Sequence, residues 1–546
     1  MLLERGVIRD PVKDTFPTLT AAQAGRIAKL GHPRDVAMGE VLVSPNLARP
    51  SFFLVERGTL DIGQGLASIG PGQFTGELST VTGRRGLVEI RATEPGRVIE
   101  VDRDALRELV ATDSELGEIL LRAFIHRRVN LIELRAGDAI LVGSSHDHGT
   151  LQALEFLGRN GYPYRHVDLD GEPDVHGLLE QFHVGPDDVP VLVARGQVLR
   201  RPSNSQIAAL LELNPPLDAG RVHDLVVVGG GPAGLAAAVY AGSEGLTTLV
   251  LEQVAPGGQA GASSKIENYL GFPTGISGGE LTARAHTQAE KFGVQVRVAD
   301  GVARLRCGAR PYAVELDDGT LVRTRAVVIA TGAAYRRLAI ADLARFENVG
   351  VYYGATHLES QRCRDQDVIV VGGGNSAGQA ALFLAQTARH VDLLVRGGGL
   401  AASMSQYLIR RIEQSPNITL HTRCELLALD GRDSLTSVRW RDGGGAVETR
   451  AIRHVFSMTG AVPATAWLDG CLALDDHGFV RTGPDLRRED LAAFHWPLER
   501  PPHLLETSTP GVFAVGDVRS GSIKRVATAV GEGASVIALV HRVLAE

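Results

Sequence analysis

From residue 1 to about 130, short apolar runs alternate with Gly/Pro turns, as in "EVLVSP", "SFFLVERGTLDIG", "GLASIGPGQF", "GLVEIRA" and "GRVIEVDR", and the pattern becomes helical from Asp104 to Asn130. Runs of that length bounded by turn residues predict a small β-roll closed by helices. Residues 137–213 read β-α-β-α-β-β-α through "AILVGS", "GTLQALEFLGRNG", "YRHVDLD", "DVHGLLEQFHV", "VPVLVARGQVLRRP" and "SQIAALLEL". Two prolines and a glycine in "ELNPPLDAGRVHD" prevent a continuing helix and predict a flexible joint. From Asp224 an apolar strand, a glycine-rich turn, a helix and a second strand follow one another, and the same order returns at Asp367. This predicts two parallel α/β modules.

A chain of 546 residues is too long for one hydrophobic core. Charge is balanced, 56 Lys plus Arg against 63 Asp plus Glu for a net charge of -7, so no global field draws the protein to nucleic acid or an anionic membrane. The local cluster "RRVN" at 127–130 is expected to be solvated helix surface. Charges break the apolar start of "MLLERGVIRDPVKD" and no run of 18 apolar residues follows, which predicts neither a signal peptide nor a membrane span. The four cysteines, Cys307, Cys363, Cys424 and Cys471, are scattered. They predict neither a disulfide framework nor a zinc cluster and fit a reducing cytoplasm.

Within the roll, "GPGQFTGELSTVTGRRGLVEIRA" resembles the phosphate-binding cassette of cyclic nucleotide-binding domains. The resemblance places Gly76 and Glu77 at the ribose and Arg85 on the cyclic phosphate, with Arg84 as a neighbour able to substitute. Gly86 stands where that family has a hydroxyl residue. A cyclic nucleotide is therefore a candidate partner, and a degenerate docking module is the alternative.

The element order of residues 137–213 resembles the thioredoxin and glutaredoxin fold, with Val189-Pro190 at the family's cis-proline. Its active-site loop, "GSSHDHGT", has no cysteine, which excludes thiol chemistry there because the thiolate is the nucleophile. His146 and His148 lack further ligands, so no metal is expected.

The first α/β module carries GxGxxG as Gly229, Gly231 and Gly234 in "DLVVVGGGPAGLAAAVYAGSEG", and its second strand ends at Glu252. Gly229 permits the tight turn, Gly231 lets a pyrophosphate approach a helix N-terminus, and Gly234 allows close packing of helix on strand. Glu252 stands where a carboxylate accepts from ribose hydroxyls. The second module, "DVIVVGGGNSAGQAALFLAQTARHVDLLVR", has Gly372, Gly374 and Ala377 in the fingerprint positions and ends its second strand at Arg396. An arginine pairs with the 2′-phosphate of NADP where a carboxylate would repel it. The first site thus favours FAD and the second NADPH.

Together with "PGGQAGASSKIENYLGFP" (256–273), "VVIATGA" (327–333) and "PGVFAVGDVRSGSIKRVATAVGEGA" (510–534), these motifs make residues 222–546 resemble a low-molecular-weight thioredoxin reductase. The resemblance implies a homodimeric flavoprotein. Gly258 and Gln259 would line the FAD pyrophosphate, Asn268 would approach the flavin, and Asp517 would bind the ribityl chain. Arg525, Val526 and Ala527 match an Arg-Gln-Ala at the flavin edge, with Val526 offering only its backbone N–H. In the NADPH loop the family's second arginine is Gly397 here, and Arg410 or Arg411 is a candidate to reach back. The insertion "FHWPLERPPHLLETS" (494–508) is expected to be a packed surface loop, with His495 and Trp496 over the flavin as the alternative.

The expected fold is multidomain: an N-terminal β-roll with helices (1–135), a thioredoxin-like α/β domain without cysteines (136–214), then two Rossmann-type α/β nucleotide-binding domains. The FAD-binding domain would take 222–338 and 462–546, and the NAD(P)H-binding domain 339–461.

Family members read Cys-Ala-Thr-Cys where this chain reads "GATH", so Gly354 and His357 occupy the two cysteine positions. Cys363, six residues on, is expected to be buried. Without the dithiol, thioredoxin reduction by the family mechanism is expected to fail. The expected activity is an FAD-dependent NADPH:acceptor oxidoreductase whose flavin passes electrons directly to an unidentified small molecule or redox protein. A redox sensor or scaffold that binds both nucleotides without turnover is the alternative. His357, an imidazole titrating near neutrality, is a candidate acid/base and equally a filler shielding the flavin.

Overall fold

The computed structural model describes residues 15–44, 50–76, 80, 86–134, 139–145, 147–170, 188–218, 220–263, 265–347, 349–355, 357–432, 434–468 and 470–546. Glu77, Arg84, Arg85, His146, Thr356 and the expected helix at 174–184 lie outside them. The chain forms two compact units. One takes residues 1–145, 152–218 and 287–300, the last stretch carrying β14 (Gln295–Val298), and the other takes 146–151, 219–286 and 301–546.

In the first unit, β1 (His32–Val36), β2 (Val41–Val43), β3 (Phe52–Arg57), β4 (Leu60–Ile62), β5 (Ala67–Ile69), β6 (Ile90–Ala92) and β7 (Gly96–Val101) make two antiparallel sheets ordered β1-β7-β3 and β2-β6-β4-β5. The two-residue period of β3 serves two cores. Phe53 and Val55 pack inside the roll, while Phe52 and Leu54 join Phe74 and Phe124 beneath α1 (Ala21–Ala28), α2 (Arg103–Thr112) and α3 (Ser114–Glu133). Arg127 corrects the expectation of a solvated 127–130 surface. It continues the inward stripe of Leu116, Leu120 and Phe124 on α3 and is buried, its guanidinium 4.7 Å from the Phe16 ring and 4.8 Å from the Phe74 ring. Its Nη1 donates to the Gly76 carbonyl at 2.7 Å. Only Val129 and Asn130 of that cluster are exposed, because the helix turns them to the opposite face.

Next come β8 (Ala139–Gly143), α4 (His148–Arg159), β9 (Tyr164–Asp168), β10 (Val191–Ala194), β11 (Gln197–Arg200) and α5 (Asn204–Leu210). The sheet runs β11-β10-β8-β9, with β8 and β9 parallel and β10 antiparallel to both its neighbours. The Val189-Pro190 bond that leads into β10 is cis.

The second unit contains β12 (Val222–Val228), α6 (Pro232–Ser243), β13 (Thr248–Glu252), β15 (Val302–Arg306), β16 (Tyr312–Leu316), β17 (Leu321–Ile329) and β28 (Val512–Ala514). Its strands order β13-β12-β17-β16-β15, and β28 adds parallel to β17. Residues 225–228 are buried on both faces, which explains an apolar run without alternation. The chain leaves this sheet through β18 (Ala333–Tyr335) and returns through β27 (Ala461–Pro463), which pair antiparallel.

Between those crossings lie β19 (Val351–Tyr352), α7 (His357–Arg362), β20 (Asp367–Val371), α8 (Asn375–Leu384), β21 (His390–Val395), α9 (Gln406–Glu413), β22 (Ile418–Thr422), β23 (Glu425–Gly431), β24 (Leu435–Arg441), β25 (Val447–Arg450) and β26 (His454–Ser457). A parallel sheet runs β19-β26-β20-β21-β22, beside an antiparallel sheet β23-β24-β25. The helix α10 (Val526–Ala545) is long and apolar enough to cross a membrane by length and composition. Its stripe of Ala529, Gly533, Val536, Ile537 and Val540 is buried, and a Cβ at Gly533 would stand 2.1 Å from the Ala233 carbonyl oxygen of α6. Helix-on-helix packing therefore accounts for that apolar stripe.

The scattered cysteines do not all stay apart. Cys307, just after β15, and Cys471 form a disulfide across 164 residues, against the expectation of none. Spacing along the chain could not show it, because the chain passes through an entire module before returning to the same sheet edge. Cys363 and Cys424 are free and buried.

Candidate dinucleotide sites

The first glycine loop joins β12 to α6. Gly229 has φ 104°, and a Cβ there would stand 2.4 Å from the Ala330 carbonyl oxygen. Gly234 meets the Gly229 carbonyl so closely that its own Cβ would lie 1.9 Å away. Gly231 caps α6, Pro232 opens it, and the helix N-terminus is left facing an open cradle. The wall of that cradle is the 256–259 loop, which the Gly257 N–H ties to the Gly230 carbonyl at 2.7 Å. Gly258 has φ 53°, and a Cβ there would come 3.1 Å from Gly231 Cα and narrow the gap. Gln259 donates to the Ala333 carbonyl, and Asn268 is exposed beyond it.

Glu252, at the end of β13, accepts from the Gly230 N–H at 2.7 Å and the Val254 N–H at 3.0 Å. These bonds fix the carboxylate beside the loop. Asp517 lies in the turn after β28. It is half-buried, makes no hydrogen bond or ion pair with any described residue, and burial raises its pKa. A carboxylate in that state calls for a hydroxyl donor. Arg525 is the N-cap of α10, with Val526 and Ala527 in the first turn.

The second loop repeats the first. Gly372 has φ 146°, with a Cβ position 2.4 Å from the Met458 carbonyl oxygen and 3.1 Å from the Ala377 Cβ, and Gly374 caps α8. Asn375 accepts from the Ser405 N–H at 2.7 Å, and the Ser403 hydroxyl donates to the Gly373 carbonyl at 2.8 Å, holding the 397–405 segment against the loop. Arg396 is exposed at the end of β21. Of the two arginines considered for its missing neighbour, Arg411 is engaged by Glu267 at 2.6 Å and Arg410 is exposed on α9.

Gly354 and Ala355 follow β19, and His357 is the first residue of α7, its side chain outside the described set. Cys363 is fully buried and its thiol is pushed up to about 11, chiefly by burial. A thiol in that state is unreactive. The 494–508 insertion packs on itself and on the chain end: Trp496 Nε1 donates to the Arg500 carbonyl at 2.8 Å, and Arg500 bridges Glu506 at 2.7 Å and Glu546 at 2.6 Å.

Two glycine loops at the carboxyl ends of parallel strands, one module inserted into the other, define a protein built to hold two dinucleotides. The sequence profile described as "Pyridine nucleotide-disulphide oxidoreductase" matches residues 223–533, and the chain belongs to that family and, within it, to the thioredoxin reductases. It is 33% identical over 326 residues to the thioredoxin reductase of Mycolicibacterium smegmatis, a match covering 60% of this chain and 97% of that protein. It is 32% identical over 355 residues to NADPH-dependent thioredoxin reductase 3 of Arabidopsis thaliana, covering 62% of this chain and 63% of that protein. The crystal structure of Lactococcus lactis thioredoxin reductase superimposes with a TM-score of 0.53 at 28% identity, covering 59% of this chain and 99% of that one. A cyclic nucleotide-binding domain profile matches residues 33–113. The family uses FAD and NADPH, and the cradle at Gly231 and Gly258 with the unpartnered Asp517 fits the first of these.

Proposed function

We propose that the protein is an FAD-dependent NADPH:acceptor oxidoreductase whose electrons leave the flavin without a dithiol relay. The placement of the four cysteines carries this reading. Cys307 and Cys471 are bonded to each other at β15, three strands from β12, while Cys363 and Cys424 are buried with raised pKa values. None is a thiolate available for exchange. FAD in the first site supplies a two-electron carrier that NADPH reduces and an acceptor reoxidises. Around it, Gly229, Gly231, Gly234, Gly258 and Gln259 shape the pyrophosphate cradle, Glu252 holds the ribose, Asp517 the ribityl chain, and Asn268, Arg525, Val526 and Ala527 the flavin. Gly372, Gly374, Ala377 and Arg396 receive NADPH. His357, at a family cysteine position, is the candidate proton carrier.

Anaerobic stopped-flow mixing tests the proposal: NADPH should bleach the flavin, and a quinone or a one-electron carrier should restore its colour without added thiol. Turnover favouring a thioredoxin disulfide, or no bleaching, overturns it.

The match at residues 33–113 supports a regulatory input, with Gly76, Glu77 and Arg85 taking a cyclic nucleotide and residues 136–214 serving as a thioredoxin-like docking module without redox chemistry. Calorimetry with cAMP and cGMP tests this, and no heat at millimolar ligand leaves a docking role. A homodimer completes the proposed assembly, checked by sedimentation, while the Cys307–Cys471 bond removes the cysteine-based argument for a reducing cytoplasm.

A further inference from the structure

The family resemblance leaves Arg396 without a second arginine, yet one arrives from a different strand. The last in-register pair of the parallel strands β21 and β22 is Val395 with Thr422, so Arg396 and Arg423 follow at the same level on neighbouring strands. Beyond the strands, the Arg423 N–H donates to the Gly397 carbonyl at 3.0 Å and the Cys424 N–H to the Val395 carbonyl at 3.0 Å, bracketing Arg396. This is the carboxyl edge of the sheet, where ligands of open α/β folds bind.

Three further observations concern Arg423. Its φ is 57°, a left-handed conformation that costs an ordinary residue energy and is concentrated at ligand clamps. Its side chain lies over the glycine run, since a Cβ at Gly398 would come within 4.0 Å of Arg423 Nε. Both Arg396 and Arg423 are exposed, and neither is ion-paired with a described residue. Two exposed guanidinium-bearing residues just past the ends of adjacent strands give this edge of the sheet positive charge suited to an anion.

We propose that Arg423 is a second specificity-determining residue for the 2′-phosphate of NADPH, closing a two-arginine clamp with Arg396 across the β21–β22 edge. The inference rests on reading the second site as NADPH-binding. The sequence alone conceals it, because Arg423 follows Arg396 by a helix and a strand and not by one residue as in the family's loop.

The probes are adenosine 2′,5′-bisphosphate and 5′-AMP, which differ by the 2′-phosphate alone and bind without turnover. Arg423→Gly suits the left-handed backbone, and unchanged flavin content and circular dichroism show that the fold is kept. Loss of one charge-assisted contact should weaken the bisphosphate about 10-fold or more and leave 5′-AMP unchanged. Arg396→Ala should act alike, and the double variant should bind both probes equally. If Arg423→Gly leaves the bisphosphate affinity unchanged while Arg396→Ala lowers it, the clamp is overturned and the NADPH reading stands. An equal loss for both probes also overturns it, by assigning Arg423 a backbone role. If the unmodified protein does not distinguish the probes, the NADPH reading falls as well.

Discussion

Cys307 and Cys471 are bonded to each other across 164 residues, so the segment after β15 is tied to the chain that has just returned from the inserted module. Denatured protein should therefore show two titratable thiols before reduction and four after it. Cys307→Ser should lower stability by about 2–4 kcal/mol, since closing a long loop restricts the unfolded chain. Four thiols in unreduced protein would refute the bond.

His454 is half-buried beside Tyr352, its Nδ1 3.4 Å from the phenol oxygen, and desolvation, with help from Arg362 and Arg453, holds its pKa down at about 4. The unfolded imidazole takes a proton near pH 6.5 and the folded one does not until about pH 4, so acid favours unfolding across that window. Stability is full above the unfolded value and is lost as pH falls, by up to about 3 kcal/mol. His454→Gln should flatten this part of the stability profile in urea titrations at stepped pH. An unchanged slope would place the acid sensitivity elsewhere.

Arg500 and Glu506 hold the 494–508 insertion. The Glu506 carboxylate is fully buried and accepts from Arg500 at 2.7 and 3.2 Å, from the His503 N–H at 2.9 Å and from the Gly511 N–H at 2.9 Å. Arg500→Met removes the counter-charge and should cost about 3–5 kcal/mol. Adding Glu506→Gln to that variant should recover part of the loss, and a double-mutant cycle by denaturant unfolding measures it.

Gly258 faces Gly231 across the cradle. In Gly258→Ala the new Cβ narrows that gap, and its left-handed backbone costs roughly 1–2 kcal/mol. The purified variant should carry less flavin. Unmodified protein should be yellow and release FAD, not FMN, on denaturation, as chromatography of the supernatant will show.

Replacing Gly354→Cys and His357→Cys together restores the family's cysteine spacing around Ala355 and Thr356. The double variant should gain a second disulfide, so its unreduced thiol count stays at two. A count of four would mean that these positions do not correspond to the family's cysteine pair.

The glycine loops were legible in the sequence because their chemistry is local: Gly229, Gly234 and Gly372 are needed where backbone must pass within contact distance of backbone, and a strand and a helix on either side fix that need. Family membership followed from the same short-range motifs. Other features depended on which distant segments share a face or an edge. Helical spacing turned Arg127 inward onto Phe16 and Phe74, sheet closure brought Cys307 to Cys471, and parallel register set Arg423 beside Arg396. Periodicity along a chain states which side of an element is apolar. Only packing decides what that side meets, because the partner is chosen by tertiary geometry and not by separation in sequence.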